Sequence, residues 1–211
     1  MAIAKRSAPA RAGTGKPAGR GPGRRTLASI LRAAGELLDE QGYDGLSTTA
    51  VAQRAGISTA TLYRHFPDKH AVLRALVVHL QSERADAIER IYEALGSEAD
   101  WRGPAAEVMR TAYRLRLARP GGRSTRRALQ VSPELWQWDQ KQTEALAASL
   151  AKAIRRRKPA IGRATADRVA LVAVATSIAL LDLASLSQRK GKALIEESIL
   201  LREAYLARYL D

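Results

Sequence analysis

Residues 48–65 read TTAVAQRAGISTATLYRH, and the reading of this stretch decides the fold. Thr48 to Ala55 has the make-up of a short helix opened by a Ser47 or Thr48 cap; Gly56 breaks it, and Ser58 can cap a second helix running to about Phe66. Two short helices joined by a glycine turn form the helix-turn-helix arrangement, whose second helix enters the major groove of DNA by its N-terminal half. Ala52 is small where the helices must cross, while Val51, Ile57 and Leu62 are the apolar residues that would hold the pair onto a neighbouring helix. The outward residues of the second helix, Ser58, Thr59, Ala60 and Thr61, are small enough to approach base edges, and Arg64 has the reach for guanine. Tyr63 and His65 can donate to phosphate oxygens.

On the N-terminal side, Leu27, Ile30, Leu31, Ala34, Leu37 and Leu38 recur at helical spacing, and Gly42 suits the left-handed position that ends such a helix. On the C-terminal side Pro67 interrupts the chain and Asp68 can cap again. Val72, Leu73, Leu76, Leu80, Ile88 and Leu95 then extend a long helix from Lys69 to Leu95. Lys69 faces the positive end of that helix's dipole, a conflict that a phosphate bound at the same end would relieve. Further on, breaks at Gly103-Pro104, Pro120-Gly121-Gly122, Ser132-Pro133, 158–162 and Lys190-Gly191 divide the chain into helices of about 104–119, 123–130, 133–157, 163–187 and 192–210. No segment alternates apolar and polar residues over a strand's length and no repeat is found, so the expected fold is all-α.

The 211 residues suffice for a substantial core, and the absence of cysteine removes thiolate chemistry and disulfides and fits a reducing cytoplasm. The net charge is +14, which points toward a polyanionic partner, and its distribution is uneven. Residues 1–25 carry seven Lys or Arg and no acid among many Gly and Pro, the composition of a disordered basic arm. Residues 26–70 carry four bases against five acids, so any DNA-binding surface there must be a local face assisted by the arm. The apolar stretch 169–187 is diluted by Ala, Ser and Thr and contains Asp182, which favours burial in a core or against a second subunit over a membrane span.

The same residues exclude other chemistries. His65 and His70 flank Pro67, His79 completes the histidine count, and no His-Glu-x-x-His or Gly-x-Ser-x-Gly pattern occurs. Catalytic residues, metal ligands and cofactors are therefore not expected, and the chain reads as a non-enzyme.

The stretch 42–76, GYDGLSTTAVAQRAGISTATLYRHFPDKHAVLRAL, resembles the N-terminal domain of the TetR family of transcriptional repressors. A Gly-aromatic turn, a helix starting with Thr, Ala-Gly-(Val/Ile)-Ser, Leu-Tyr-x-(His/Tyr)-Phe and x-Lys-x-x-Leu follow one another in the family's order. The likeness covers about residues 26–76, and nothing in 100–211 matches by motif. It implies phosphate contacts at Thr48, Tyr63, His65 and Lys69, and base contacts at Thr49, Ala50, Thr59, Ala60, Thr61 and Arg64. Ala50 departs from that role, having no side chain able to hydrogen-bond.

The resemblance also implies a homodimer paired through its last two long helices, holding a near-palindromic DNA site and a small-molecule effector of unknown identity. Independently, Val169 to Leu186 and Leu194, Ile195, Ile199, Leu206 and Tyr209 offer surfaces for a helical bundle. The division expected is an arm over 1–25, a DNA-binding domain over 26–70, and a helical effector-binding and dimerisation domain over 71–211. Candidate effector contacts are Met109, Tyr113, Trp136, Trp138 and Asp182, with Trp101 at the mouth of the site. Asp182, a carboxylate in an apolar helix, should pair with an arginine or face a ligand. Seven arginines without an acid between Val108 and Pro133 form either a solvated basic face or a site for an anionic ligand. The main functional reading is a cytoplasmic, sequence-specific DNA-binding regulator released by a small molecule. The alternative is an architectural DNA-binding protein without sequence choice.

Overall fold

The structure, a computed structural model, describes residues 22–131 and 133–211. The described residues form helices and connecting turns without strands: α1 Pro22–Gln41, α2 Thr48–Ala55, α3 Thr59–His65, α4 Lys69–Ser97, α5 Arg102–Leu117, α6 Thr125–Leu129, α7 Pro133–Arg157, α8 Arg163–Ser185 and α9 Gln188–Leu210. Most of the arm expected over 1–25 lies outside the described residues. Its last four residues belong to α1, which starts on Pro22, a residue whose fixed φ and missing N–H suit the first helical position.

Local chemistry sets the ends of the first helices. Gly42 and Gly56 both hold positive φ. Behind Gly56 the Ile57 N–H reaches the Ala52 carbonyl and closes α2. Ser47 Oγ accepts from the Ala50 N–H, Ser58 Oγ from the Thr61 N–H and Asp68 Oδ1 from the Ala71 N–H. Each such cap contributes about 1 kcal/mol, so α2, α3 and α4 are started in turn by their own sequence.

Two apolar cores result. The N-terminal one joins Ile30, Leu37 and Leu38 of α1 to Leu46, Val51, Leu62 and Phe66, and to Val72, Leu73, Leu76, Val77 and Leu80 of α4. Ala128 and Leu129 of α6 and Leu135 of α7 also pack into it. The second core lies among the C-terminal half of α4 and helices α5, α7, α8 and α9. Helix α4 thus runs through both, buried at Leu73 in one and at Leu95 in the other.

Two sequence expectations are corrected. Lys190-Gly191 does not break the chain: α9 runs through it, started by Ser187 Oγ, which accepts from the Lys190 N–H. Gly191 is needed because the Tyr113 hydroxyl and the Ala184 carbonyl occupy the space a Cβ would take. Trp101 is not at a mouth but buried, its indole N–H donating to Asp211 Oδ1 at the chain's C-terminal end. Helix α8 is long and apolar enough to cross a membrane by length and composition. One side of it, with Val169, Ala170, Ala173 and Val174, is buried in the second core, while Leu171, Val172 and Leu183 stay exposed.

Candidate nucleic-acid interface and inner cavity

Helix α3 is held by one fully buried side chain, Leu62, which leaves most of its surface to solvent. Thr59, Ala60, Tyr63, Arg64 and His65 are exposed, Thr61 partly so. The Ser58 hydroxyl, besides capping α3, lies 2.9 Å from Thr61 Oγ1, and Arg64 Nη2 donates to Thr61 Oγ1 at 3.3 Å. On α2, Thr49 is exposed, and Thr48 Oγ1 lies 3.1 Å from the hydroxyl of Tyr63, itself 54% exposed. Thr48 and Tyr63, from different helices, therefore stand side by side as a pair of phosphate donors would. Lys69 Nζ lies 4.1 Å above the Tyr43 ring, whose π-face stabilises the cation at the unfavourable end of α4. The Tyr43 hydroxyl in turn bonds His70 Nε2 at 2.8 Å, which gives His70 a structural role the sequence reading lacked. Burial first, then Asp68 and Asp44, raises the Tyr43 phenol above its ordinary range.

These elements are braced from behind. Arg54 of α2 makes a two-pronged bond to Glu40 of α1, 2.9 and 2.8 Å, which holds the Glu40 carboxyl below its ordinary value. Ala50 is half-buried against the N-terminal core, in keeping with a packing rather than a reading role.

In the second unit, α4, α5, α6, α7 and α8 enclose a cavity of about 450 Å³, within the usual size range of small-molecule sites. Val77, Met109, Ala112, Leu129, Leu146 and Val174 are among its apolar walls. Of the expected effector contacts, Met109 lines it. Tyr113 does not, packing beside Gly191; Trp136 is exposed; Trp138 packs on the N-terminal core. Asp182 is not in the lining either, but pairs as expected with arginines that are: Arg116 Nη1 at 2.5 Å and Arg126 Nε at 3.2 Å.

Arg116 and Arg126 of the seven-arginine run line the cavity, but the sequence reading missed two further charged residues of its lining, Asp139 and Arg84. Asp139, 2% exposed, pairs with Arg126 Nη2 at 3.1 Å. Its burial raises its carboxyl above the ordinary range, against the opposing pull of Arg126. Arg84 lines the same wall, and burial first, then Arg116 and Arg126, lowers its guanidinium to about 10. A signal existed: Arg84 stands on the apolar stripe Leu80, Arg84, Ile88 of α4, and Asp139 on the stripe Leu135, Asp139, Thr143 of α7. The seven-arginine run divides in the structure. Arg110 and Arg114 pair outward with Glu196 and Glu107, whereas Arg116 and Arg126 turn in.

The turn between α5 and α6 rests on α1. Asp39 Oδ2 accepts the Gly121 N–H and Asp39 Oδ1 the Ser124 hydroxyl, both at 2.7 Å, and Gly35 abuts Pro120 and Gly121. Among the described residues no group of three or more acidic or His side chains could hold a metal ion.

Comparison with known proteins agrees with this arrangement. Residues 30–76 match the family model for bacterial regulatory proteins of the tetR family, and residues 100–206, half the chain, match that for the tetracyclin repressor-like C-terminal domain. The chain belongs to the TetR family. It is thus a DNA-binding transcriptional regulator, of a family whose members regulate transcription rather than catalyse. A solved TetR-family regulator from Streptomyces coelicolor is 33% identical, with a TM-score of 0.62 over 88% of this chain and 99% of that one. One from Mesorhizobium loti shares the TetR fold at 24% identity, with a TM-score of 0.72 over 90% and 99%. The tetracycline repressor protein of class D from Escherichia coli is 47% identical over 58 residues, 28% of this chain. That stretch is 27% of the repressor, so the match spans about a quarter of the curated relative's length.

Proposed function

We propose that the protein is a homodimeric repressor that holds a near-palindromic operator and releases it when a small molecule fills the cavity. Residues 26–70 would carry DNA reading and 71–211 effector binding and dimerisation. The observation that supports this best is that Val77 and Leu129 belong to both places: each lines the cavity and each is buried in the N-terminal core. A ligand that moves α6 within the cavity wall also moves Leu129 in the core beneath the helix-turn-helix. It pulls as well on the α5–α6 turn that Asp39 ties to α1. A packed interface of this kind switches between discrete arrangements, as a two-state regulator requires.

Thr48, Tyr63, His65 and Lys69 contact phosphates on this reading, and Thr49, Thr59, Ala60, Thr61 and Arg64 approach bases from α2 and α3, with Ser58 fixing the start of α3. Exposed Leu171, Val172 and Leu183 on α8 and Leu200 and Leu201 on α9 form the apolar surface a second copy would cover. Two copies then set their recognition helices about 34 to 36 Å apart, one turn of DNA. The setting is the cytoplasm, where DNA is accessible.

Selection of bound sequences from a random DNA pool by the full-length protein tests the reading. A dyad-symmetric consensus bound at least ~10³-fold more tightly than random DNA at physiological salt is expected. Equal affinity for all sequences would favour an architectural coating role.

A further inference from the structure

The charged side chains around the cavity do not balance. Arg116, Asp182, Arg126 and Asp139 form an alternating chain, each ion within 3.2 Å of an opposite one, and that set is neutral. Arg84 is a fifth member without a counter-ion: among the described residues it makes no ion pair, and Arg116 and Arg126 repel its charge more than Asp182 and Asp139 attract it. A second cation lies behind the wall. Arg202 of α9, 4% exposed, gives one donor to the hydroxyl of Ser177, which lines the cavity, at 2.9 Å; no carboxylate faces it among the described residues. The Tyr92 hydroxyl in the lining also faces the Arg202 guanidinium, yet neither the Nε and Nη2 of Arg202 nor the buried Nε of Arg116 makes a well-formed hydrogen bond. The one further acid in the lining, Glu89, is exposed toward solvent beside Lys152 and Arg156.

Buried cations without anions are costly, and guanidinium donors left unbonded add to the cost, so such a site gains most from an anion that brings both charge and acceptors. The opposite occupant, a cation seeking Asp139, would have to displace Arg126 and would still face the guanidinium groups of Arg84 and Arg116 in the same lining. Ile88, Val108, Met109, Leu146, Ile178 and Leu181 make much of the remaining wall apolar, while Gln81, Gln142, Thr143 and Ser149 add neutral polar groups to it.

Resting on the reading that this cavity is the effector site, we infer that its effector is an amphipathic carboxylate, its apolar body along α5, α7 and α8 and its carboxylate on Arg84 at the Arg116–Asp182–Arg126–Asp139 end. A planar carboxylate fits the fork of a guanidinium, and an arginine rather than a lysine at this place favours such two-pronged recognition.

The test is thermal stabilisation and calorimetric titration of the full-length dimer with straight-chain carboxylates of six to twelve carbons, the matching alcohols and the matching amines. At least one carboxylate should bind saturably, roughly tenfold or more above its alcohol, with its amine weaker than both. In Arg84→Met the preference for carboxylate over alcohol should fall toward unity, while Arg84→Lys should keep part of it. Alcohols or amines binding the wild type as well as carboxylates, no saturable carboxylate binding, or an undiminished preference in Arg84→Met would each overturn the inference. Wild-type selectivity alone decides it if Arg84→Met fails to fold. Val174→Trp, which fills the cavity, separates the two readings. If it leaves binding of every probe unchanged, the cavity is not the effector site. If it abolishes binding of all probes while the wild type prefers alcohols or amines, only the anionic class is wrong.

Discussion

Gly35→Ala gives the most direct probe of the coupling between the two units, because two effects of opposite sign compete there. Gly35 lies inside α1, where alanine should stabilise a helix by roughly 0.5–1 kcal/mol. An added Cβ would stand 2.6 Å from the Pro120 carbonyl carbon, closer still to its oxygen, and 3.0 Å from the Gly121 nitrogen. These are backbone atoms and cannot rotate away. Overpacking of this kind costs about 1–3 kcal/mol. If the turn instead lifts off, the two bonds from Gly121 and Ser124 to the Asp39 carboxylate are strained or lost, and bonds to a charged acceptor contribute ~1.5–3 kcal/mol each. The clash therefore outweighs the helix gain, with a net loss of about 1 kcal/mol and at most roughly 2.5, and a melting temperature lower by about 2–4 °C and at most about 10 °C for a chain of this size. Operator affinity should fall as well, since α6 moves with the turn. Combining the change with Asp39→Ala in a double-mutant cycle should cost less than the sum of the two, by about 0.5 kcal/mol or more, because both act on one contact. Urea unfolding followed by circular dichroism reads the stability and fluorescence anisotropy the affinity. A Gly35→Ala protein as stable as the wild type, with operator affinity intact, would refute the contact and the coupling built on it.

Three further outcomes are expected. Arg64→Ala should relax sequence preference at one operator position, whereas Tyr63→Phe and Lys69→Ala should weaken all sequences alike, the latter lowering the salt slope by about one; binding to a randomised operator library distinguishes them. Leu200→Glu combined with Leu201→Glu, at residues 59% and 53% exposed in the single chain, should leave the fold intact but give monomers in analytical ultracentrifugation and abolish operator binding. Glu40→Gln should lower the urea midpoint at pH 7. The Glu40 carboxyl is held below its ordinary 4.5 in the folded protein, so the Arg54 bond stabilises above that value, and the difference between variant and wild type should vanish as pH falls through the folded value.

The N-terminal unit was legible because its information is local. Ser47, Gly56, Ser58 and Asp68 each act within four residues along the chain, and the structure places each at the helix end the sequence announces. Gly191 shows where that logic stops. Glycine in a sequence signals either a break or a close approach, and only the Tyr113 hydroxyl packed against α9 tells which. The effector candidates chosen for size and aromaticity mostly fell elsewhere for a similar reason. Trp101, Tyr113 and Trp138 are large enough to serve as packing, and they do.

By itself, then, the sequence determined the helices, the capped starts of α2, α3 and α4, the outward residues of α3 and the family, because caps, turns and apolar periodicity are short-range. Arg84, Asp139 and Arg202 each interrupt an apolar stripe on a separate helix, and each alone reads as an isolated anomaly, while Arg116 stands within a run of arginines most of which face outward. Only the packing of α4, α5, α6 and α7 brings the cations Arg84, Arg116 and Arg126 and the carboxylate of Asp139 to one cavity, with Arg202 of α9 behind its wall, where the low-polarity surroundings make their imbalance matter. Charge balance is a sum over neighbours in space, and that sum exists only once the helices have packed.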